Sequence, residues 1–562
     1  MRFNYSIGKH SKSVDEAIKK LNDENVIERI WKKDFTVWSS ESTEISNRLG
    51  WLDSVDVTSK SLNEIKHFVD DITKAGYKQA LLMGMGGSSL APEVFRLTFG
   101  VKDGYLDLSV IDSTHPEVVM NYAKKFNPAT TLYIVSTKSG GTVETFSFMK
   151  FFYNYALHIL GKDEVGKHFV AITDPGSGLQ KVAEELKFRK IFLNDPNIGG
   201  RFSALSLFGI VPAALVGVDV EKFLALANVE TTNCKKVGKE IFENTAAVVG
   251  TIIGTMGKEG VDKLTYIISP AFSYIGAWIE QLIAESTGKV GKGILPVDLE
   301  SIESPDNYSG DRLFVYLKLK NDSTYNEKVD LLKSKNFPIL EFEIDNEYDL
   351  SKQFFLWEFA TAVAGWLMHI QPYDQPNVEQ AKIVARKMMS EYQVIGKLPE
   401  LIPTIEENGI KVYGNVTVKS VKEVLQSFLS DCKGGKNYVS IQAYLNPNKE
   451  TNKALQKLRN LIQRNYKVAT TLGYGPRFLH STGQLHKGDA GNGYFIQFVS
   501  DIKEDLPIPE NPGEESTLFT FGILIKAQAL GDRQALLDNK RKVITIDLGS
   551  DILGSLSILK VE

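Results

Sequence analysis

The chain has 562 residues, of which 43% are hydrophobic and 24% are charged, and its formal net charge is −4. This composition is ordinary for a folded protein with several cores, and it excludes the strongly basic classes that bind nucleic acid. Cys234 and Cys432 lie far apart, without CxxC or histidine spacing around either. That spacing excludes a disulfide framework and a structural zinc site, and it is typical of a reducing cytoplasm. We therefore expect a cytoplasmic protein.

The N-terminal residues contain no apolar segment of signal-peptide length. The most apolar stretch, residues 202–218, is interrupted by Ser203, Gly209 and Pro212 and is too short to span a bilayer. We interpret it as a buried helix and expect no membrane partner.

In chain order, residues 1–55 show helical periodicity and predict an N-terminal helical arm. Five short β-rich runs follow, separated by segments of helical length; they cover residues 79–84, 106–112, 131–137, 168–174 and 190–194. Strands that alternate with helices predict a parallel sheet with helices on both faces. This first α/β domain is predicted to cover residues 56–235.

Two further series of strands follow the first. The second contains residues 264–269, 312–319 and 337–344 and then a long apolar helix over 354–370, and it predicts a domain over 236–398. The third contains residues 438–444, 467–474, 493–499 and 542–548, and it predicts a C-terminal α/β domain over 399–562. The fold class is therefore α/β, with two doubly wound α-β-α sandwich domains and a third α/β domain.

A glycine-rich turn follows the first predicted strand. Its sequence, GMGGSSLAP, places glycines at 84, 86 and 87 and two serines before a helical segment. Glycines let the backbone approach an anion, and the N–H groups that begin a helix favour negative charge. The turn predicts a phosphate or carboxylate site, although a plain helix-capping turn explains this motif alone equally well.

A second polar turn, STKSGGTVET, follows the third predicted strand. It combines hydroxyl groups and one ammonium group, which can hold a phosphate without a metal. Both turns lie at the carboxyl ends of strands in one doubly wound sheet, where ligands bind. A phosphate site is therefore favoured over two unrelated loops.

With these two turns, five ordered segments resemble the sugar isomerase (SIS) family and, within it, the glucose-6-phosphate isomerases. The other three are GGRFSALS (199–206), IEQLIAESTGKVGKG (279–293) and PYDQPNVEQAK (372–382). The resemblance covers about residues 60–390, and the C-terminal region also resembles the isomerase half of transaldolase–isomerase fusion proteins. It implies that the first two domains are SIS domains and that the chain interconverts glucose 6-phosphate and fructose 6-phosphate, in glycolysis and gluconeogenesis.

The resemblance also implies roles for individual residues. Glu285 would be the base that moves the proton, Gln281 a neighbouring polar contact, Arg201 the cation beside the reacting carbons, and Lys382 a group near the ring oxygen. The sugar phosphate would be held by Gly87, Ser88, Thr137, Lys138, Ser139 and Thr142. One carboxylate can carry a proton between adjacent carbons, and an arginine offers fixed positive charge to the enediolate.

A histidine that opens the sugar ring is also expected from the resemblance, between the glutamate and lysine segments. That interval contains only His369, on the apolar helix, which is better interpreted as a core or interface residue. The loop GYGPRFLHSTGQLHKGDAGNG contains two other histidines and a Gly-Gln-Leu-His sequence. We therefore predict His486 for ring opening, with His480 second.

No HExxH or other cluster for a divalent ion occurs in the sequence, so a metal-independent enediol route without a cofactor is preferred. The resemblance further implies a homodimer with a small-molecule sugar-phosphate substrate. Two alternatives stay open: a non-catalytic sugar-phosphate sensor, and an isomerase that also accepts mannose 6-phosphate. The joint presence of Glu285, Gln281, Arg201 and Lys382 argues against the sensor.

Overall fold

A computed structural model of the chain describes residues 1–561. The strands, in chain order, are β1 (Arg2–Ser6), β2 (Gln79–Gly84), β3 (Asp107–Ile111), β4 (Thr131–Ser136), β5 (Phe169–Thr173), β6 (Lys190–Leu193), β7 (Lys263–Ile268), β8 (Leu295–Val297), β9 (Arg312–Leu319), β10 (Ile339–Ile344), β11 (Ile405–Glu407), β12 (Ile410–Tyr413), β13 (Tyr438–Ala443), β14 (Ala469–Tyr474), β15 (Gly493–Val499), β16 (Pro507–Pro509), β17 (Thr517–Thr520) and β18 (Lys542–Asp547).

The α-helices, in chain order, are α1 (Ser11–Asp23), α2 (Val26–Trp31), α3 (Ser54–Ser59), α4 (Leu62–Lys74), α5 (Gly87–Phe99), α6 (Pro116–Lys125), α7 (Val143–Leu160), α8 (Gly178–Glu185), α9 (Leu207–Leu215), α10 (Val220–Asn233), α11 (Thr245–Lys258), α12 (Ile275–Thr287), α13 (Asn326–Ser334), α14 (Leu350–Met368), α15 (Pro376–Ile395), α16 (Val424–Phe428), α17 (Lys449–Tyr466), α18 (Gly483–Gly488), α19 (Phe521–Asp538) and α20 (Ile552–Ile558). Within residues 1–561, no helix combines the length and the apolar character needed to cross a membrane.

The first sheet has the strand order β3-β2-β4-β5-β6, and all of its strands are parallel. The chain leaves β2 toward β3 on one side and then returns to β4 on the other side. Neighbouring connections diverge at such a point, so a crevice opens at the carboxyl ends of β2 and β4. The two polar turns predicted to bind phosphate follow these two strands.

The second sheet has the order β1-β10-β9-β7-β8 and is parallel except for β1, which pairs antiparallel with β10. The predicted N-terminal arm therefore begins with an edge strand and is not helical throughout. Helix α14, which matches the predicted apolar helix, is buried at every residue except Lys352 and packs against α11. The apolar core of this region is continuous from the helices of the first sheet to those of the second.

The third sheet has the order β11-β12-β18-β15-β13-β14. Strands β18, β15, β13 and β14 are parallel to one another. Strands β11 and β12 form an antiparallel hairpin at the β18 side. Strands β16 and β17 form a separate two-stranded ribbon. The α/β class predicted from the alternating pattern is confirmed. The proposed domain boundaries stay a prediction.

Candidate active site

The first polar turn, between β2 and α5, packs tightly against three other segments. Gly86 has φ +56° and ψ −127°, a conformation that L side chains rarely adopt. A Cβ atom at Gly86 would lie 2.8 Å from Gln281 Nε2 and 3.1 Å from the His480 carbonyl oxygen, and one at Gly87 would overlap the carbonyl oxygen of Gly200. The turn therefore brings together the arginine segment, the glutamate helix and the histidine loop.

The second polar turn lies between β4 and α7. Thr137 Oγ1 and Thr142 Oγ1 are 3.1 Å apart, and Ser139 is exposed. The Lys138 ammonium group forms an ion pair with Asp174 and donates to the carbonyl oxygen of Pro196 at 2.7 Å. Two hydroxyl groups of this turn thus lie together, whereas the Lys138 ammonium group is engaged by protein groups.

Arg201 and Glu285 are joined in the buried centre of the site. Arg201 lies in the turn after β6 and Glu285 lies on α12; Arg201 Nη1 donates to Glu285 Oε2 at 3.3 Å. Only 3% of the Arg201 surface and 8% of the Glu285 surface are exposed. Burial raises the pKa of Glu285, and the positive charges of Arg201 and His480 partly oppose this shift. Glu285 is therefore a more basic carboxylate than an exposed one.

The Arg201 guanidinium group is fixed by further acceptors. Nε donates to Ser286 Oγ at 2.9 Å and Nη1 donates to Gln375 Oε1 at 2.7 Å. Nη2 donates to the carbonyl oxygens of Pro372 and Asp374 at 2.6 and 3.0 Å. These four acceptors are neutral, and together they hold the guanidinium fork in place beside Glu285.

Lys289, which was not predicted as a site residue, supports this arrangement. Lys289 is 3% exposed, and its ammonium group donates to the carbonyl oxygen of Asp374 at 2.6 Å and to Asp374 Oδ1 at 2.7 Å. Burial and the charge of Arg201 lower the pKa of Lys289 to about 7, although Asp374 opposes both effects. Lys289 therefore fixes one of the carbonyl groups that hold Arg201.

Next to this centre is a cleft of about 540 Å³ between the second polar turn, α15, α19 and the histidine loop. Its polar lining includes Ser139, Thr142, Glu144, Lys382, His480 and Gln528. Lys382 Nζ donates to Glu379 Oε1 at 2.8 Å and is about one third exposed. Glu285 and Arg201 do not line the cleft itself. They connect to it through Gln281, whose Nε2 donates to the His480 carbonyl oxygen at 2.8 Å.

The two histidines of the C-terminal loop occupy different environments. His480 ends a short 3-10 helix (Arg477–His480) after β14, and its Nε2 atom lies 3.1 Å from Glu144 Oε1 at the cleft. His486, on α18, is 1% exposed and packs against the rings of Tyr438, Phe478 and Phe495. Its nearest polar partners are Ser440 Oγ at 3.4 Å and Gln442 Nε2 at 3.3 Å.

This geometry argues against our first choice for ring opening. Burial lowers the pKa of His486 well below its ordinary value, with the charges of Lys487 and Arg541 as further causes, so the ring stays neutral in the core. His480, the second choice, reaches the cleft. In the Gly-Gln-Leu-His sequence, Gln484 contacts the site region. Its Oε1 atom accepts from the backbone N–H groups of Asn377 and Val378 at 2.9 and 3.1 Å. Gln484 thereby caps the helix that carries Lys382.

Glu144 was missed although it stands two residues after Thr142 in the second polar turn. It is 7% exposed, and its Oε1 accepts from Gln528 Nε2 at 2.7 Å as well as facing His480. Burial raises the pKa of Glu144, but the charge and hydrogen bond of His480 outweigh burial, and the pKa lies below its ordinary value. Glu144 is thus a buried carboxylate paired with His480.

An ion cluster anchors the histidine turn to the first sheet. Arg477 forms an ion pair with Glu93 on α5, and its Nη1 atom lies 3.1 Å from Asp112 Oδ2 after β3. His480 is three residues further along the same short helix. Among residues 1–561, no group of three or more His, Cys, Asp or Glu side chains is arranged to hold a metal ion.

Comparison with known proteins agrees with the resemblance. The phosphoglucose isomerase family model matches residues 51–300. A probable glucose-6-phosphate isomerase from Methanococcus maripaludis is 27% identical over 387 residues, which cover 62% of this chain and 85% of that protein. Glucose-6-phosphate isomerase from Thermus thermophilus is 25% identical over 396 residues, with 62% and 91% covered.

Among solved structures, glucose-6-phosphate isomerase from Chlamydia trachomatis superimposes with a TM-score of 0.57 at 16% identity and covers 69% of this chain and 87% of that one. A hypothetical protein from Thermus thermophilus gives the same TM-score at 21% identity and covers 69% and 99%. At these identities the two structures support the fold alone. Residues 51–300, which carry both polar turns, Arg201 and Glu285, are therefore similar to the phosphoglucose isomerase family.

Proposed function

We propose that the protein interconverts glucose 6-phosphate and fructose 6-phosphate by moving one proton between C1 and C2 through an enediolate. The observation that carries this function is the buried pair of Glu285 and Arg201, with a 3.3 Å contact between them, beside the cleft that receives His480. Aldose–ketose isomerisation needs a base for the proton and a cation for the enediolate, and this pair supplies both.

The phosphate group of the substrate binds at the second polar turn in this proposal, with Ser88 and Gly87 of the first turn nearby. The hydroxyl groups of Thr137, Ser139 and Thr142 and the backbone N–H groups of the turn are suited to phosphate oxygens. Lys138 contributes positive charge from its ion pair with Asp174, which it must weaken or leave in order to touch the phosphate.

Ring opening is assigned to His480 with help from Lys382, since both line the cleft. His480 passes a proton between the ring oxygen and the anomeric hydroxyl group, while Glu144 Oε1, 3.1 Å from His480 Nε2, orients the imidazole ring. Lys382, about one third exposed, neutralises negative charge on the ring oxygen as the C–O bond breaks.

Proton transfer follows in the opened chain. Glu285 removes the proton from C2 of the aldose, or from C1 of the ketose, and returns it to the neighbouring carbon, while the hydroxyl proton moves between O2 and O1. Arg201 faces the enediolate oxygens with a guanidinium group that its neutral acceptors leave charged. Gln281 links the base to the His480 turn, so that the two steps share one geometry.

The homodimer and the cytoplasmic location stay predictions from resemblance and cysteine usage. Each group named above comes from the single chain described here. The third sheet supplies His480 to a site whose other groups come from the first two sheets and α15.

A coupled assay of glucose 6-phosphate formation from fructose 6-phosphate, run with and without chelator, tests the function. We expect turnover that chelator leaves unchanged. No turnover at high enzyme concentration, with phosphate-sugar binding retained, would favour a sensor. Loss of turnover in chelator would refute the metal-independent route, and equal turnover of mannose 6-phosphate would show the wider specificity.

A further inference from the structure

A line of side-chain hydrogen bonds connects the first sheet to the His480 turn through α19. Thr114, just after β3, lies with its Oγ1 atom 2.8 Å from Gln528 Oε1. Gln528 Nε2 donates to Glu144 Oε1 at 2.7 Å, and His480 Nε2 lies 3.1 Å from the same oxygen. Gln528 is 5% exposed, and no motif of the sequence includes it.

The chemistry of these groups fixes the direction of each hydrogen bond. An amide oxygen cannot donate, so the Thr114 hydroxyl group is the donor to Gln528 Oε1. The amide NH2 group of Gln528 therefore faces Glu144 and donates to it. The Glu144 oxygen between Gln528 and His480 then receives two hydrogen bonds, which suits a carboxylate and does not suit the hydroxyl group of a carboxylic acid.

The tautomer of His480 follows from the same pattern. Since Glu144 Oε1 accepts, the Nε2 atom of His480 must carry a proton. The Nδ1 atom is then the nitrogen that can exchange a proton with the substrate. Without the Gln528 donor, the buried Glu144 carboxylate loses one of the two hydrogen bonds that stabilise it. The His480 tautomer with its proton on Nε2 is then no longer fixed by Glu144.

We propose that Gln528 is a positioning residue for ring opening, which holds Glu144 as a carboxylate and thereby orients His480. The proposal rests on the proposed isomerase function and adds to it a residue from α19. Gln528 acts through Glu144 rather than on the reacting carbons. The proton transfer by Glu285 is therefore expected to be independent of it.

Other charged groups surround the same pair, and we expect them to stay in place when Gln528 is changed. His480 interacts electrostatically with Asp112, Glu285 and Glu379, and Glu144 interacts with Lys382. Their elements are the turn after β3, α12 and α15. A change confined to Gln528 therefore tests its own hydrogen bonds against a constant background of charge.

The first test is Gln528→Leu, which keeps the approximate volume and removes the donor. We expect kcat/KM for fructose 6-phosphate to fall by about tenfold or more, the loss typical of a hydrogen bond to a charged group. The probe for the later step is 5-deoxyfructose 6-phosphate, which cannot close its ring; its solvent-hydrogen exchange at C1 should stay near the wild-type rate. Gln534→Leu is the matched control, because Gln534 lies on the same helix, is exposed, and donates from its side chain to Asp538 Oδ1 at 2.7 Å.

Equal loss of both activities in Gln528→Leu would overturn the proposal, since it would indicate general damage to the site. So would unchanged turnover of fructose 6-phosphate. Failure of the proposed function would look different, because the wild-type protein itself would then not turn over fructose 6-phosphate.

The second test is Gln528→Glu, which has nearly the same shape but replaces the donor by a second carboxylate. We expect a larger loss than for leucine at neutral pH, because two carboxylates then face each other. As the pH falls, the introduced carboxyl group becomes protonated and can donate to Glu144. The ratio of variant to wild-type turnover should therefore rise toward low pH, and a ratio independent of pH would contradict the proposed role of the donor.

Discussion

Replacing each of the two loop histidines by alanine separates a chemical role from a packing role. His480 contacts Glu144 at the cleft, whereas His486 lies in the core among three aromatic rings. A general acid–base group contributes about 10²- to 10⁴-fold to a rate, so His480→Ala should lower kcat/KM for fructose 6-phosphate by that factor. His480→Ala should leave solvent-hydrogen exchange from 5-deoxyfructose 6-phosphate largely intact.

His486→Ala should act on stability instead. The ring is 1% exposed and its polar contacts are long, at 3.3 and 3.4 Å, so most of its contribution comes from packing. Truncation of a buried ring leaves a cavity, and we expect a loss of about 2–4 kcal/mol in the free energy of unfolding. Turnover per folded molecule should stay within a few-fold of wild type.

For both variants we would measure coupled turnover of fructose 6-phosphate, solvent-hydrogen exchange of 5-deoxyfructose 6-phosphate, and thermal unfolding. The reasoning is refuted if His486→Ala remains fully folded and loses ring-closed turnover selectively, while His480→Ala keeps it. Such a result would restore the original preference for His486.

Four further predictions concern the base, its pH dependence, the polar turn and the oligomeric state. Glu285→Gln should lower kcat by about 10²- to 10⁴-fold with little change in KM, and surviving exchange at C2 would remove Glu285 from its role. Because burial raises the pKa of Glu285 and the base must be ionised, the fall of wild-type kcat/KM at low pH should begin above the pH typical of an exposed glutamate. Gly87→Ala should impair phosphate binding and lower the free energy of unfolding by about 1–3 kcal/mol, because the added Cβ atom overlaps the backbone of Gly200. Gly200→Ala is the control and should be tolerated, because its Cβ atom meets no atom within 4 Å. Equal effects of the two variants would contradict the packing argument. Dilution that dissociates any oligomer, as followed by light scattering, should leave turnover per chain unchanged. A loss of turnover on dilution would show that a partner subunit completes the site.

The strands could be predicted because most are short apolar runs bounded by turns. Residues 131–137 were expected and β4 covers Thr131–Ser136; residues 312–319 were expected and β9 covers Arg312–Leu319. The edge strand β1 was missed because four of its five residues are exposed and carry no apolar run. Strand β8 was missed because it has three residues with a central proline. Its place depends on pairing with β7, which local sequence does not encode.

The site was predictable where a motif fixes local geometry and unpredictable where distant segments meet. Arg201 and Glu285 stand in recognisable segments, and the structure joins them. His480 and His486 are six residues apart, and the choice between them depends on the local fold of this segment. His480 ends a short 3-10 helix and faces the cleft, whereas His486 lies on α18 and faces the core. Gln528 carries no local signal, since its role exists only through contact with Glu144.

The anchoring of the His480 turn has a consequence for how the protein is made. Arg477 and Glu93, which form the ion pair that holds this turn, are 384 residues apart in the chain. During synthesis the strands of the first sheet leave the ribosome long before Arg477 does. Ring-opening ability must wait until the third sheet docks. A partly synthesised or C-terminally truncated chain that lacks Arg477 and His480 should therefore lack ring-opening activity.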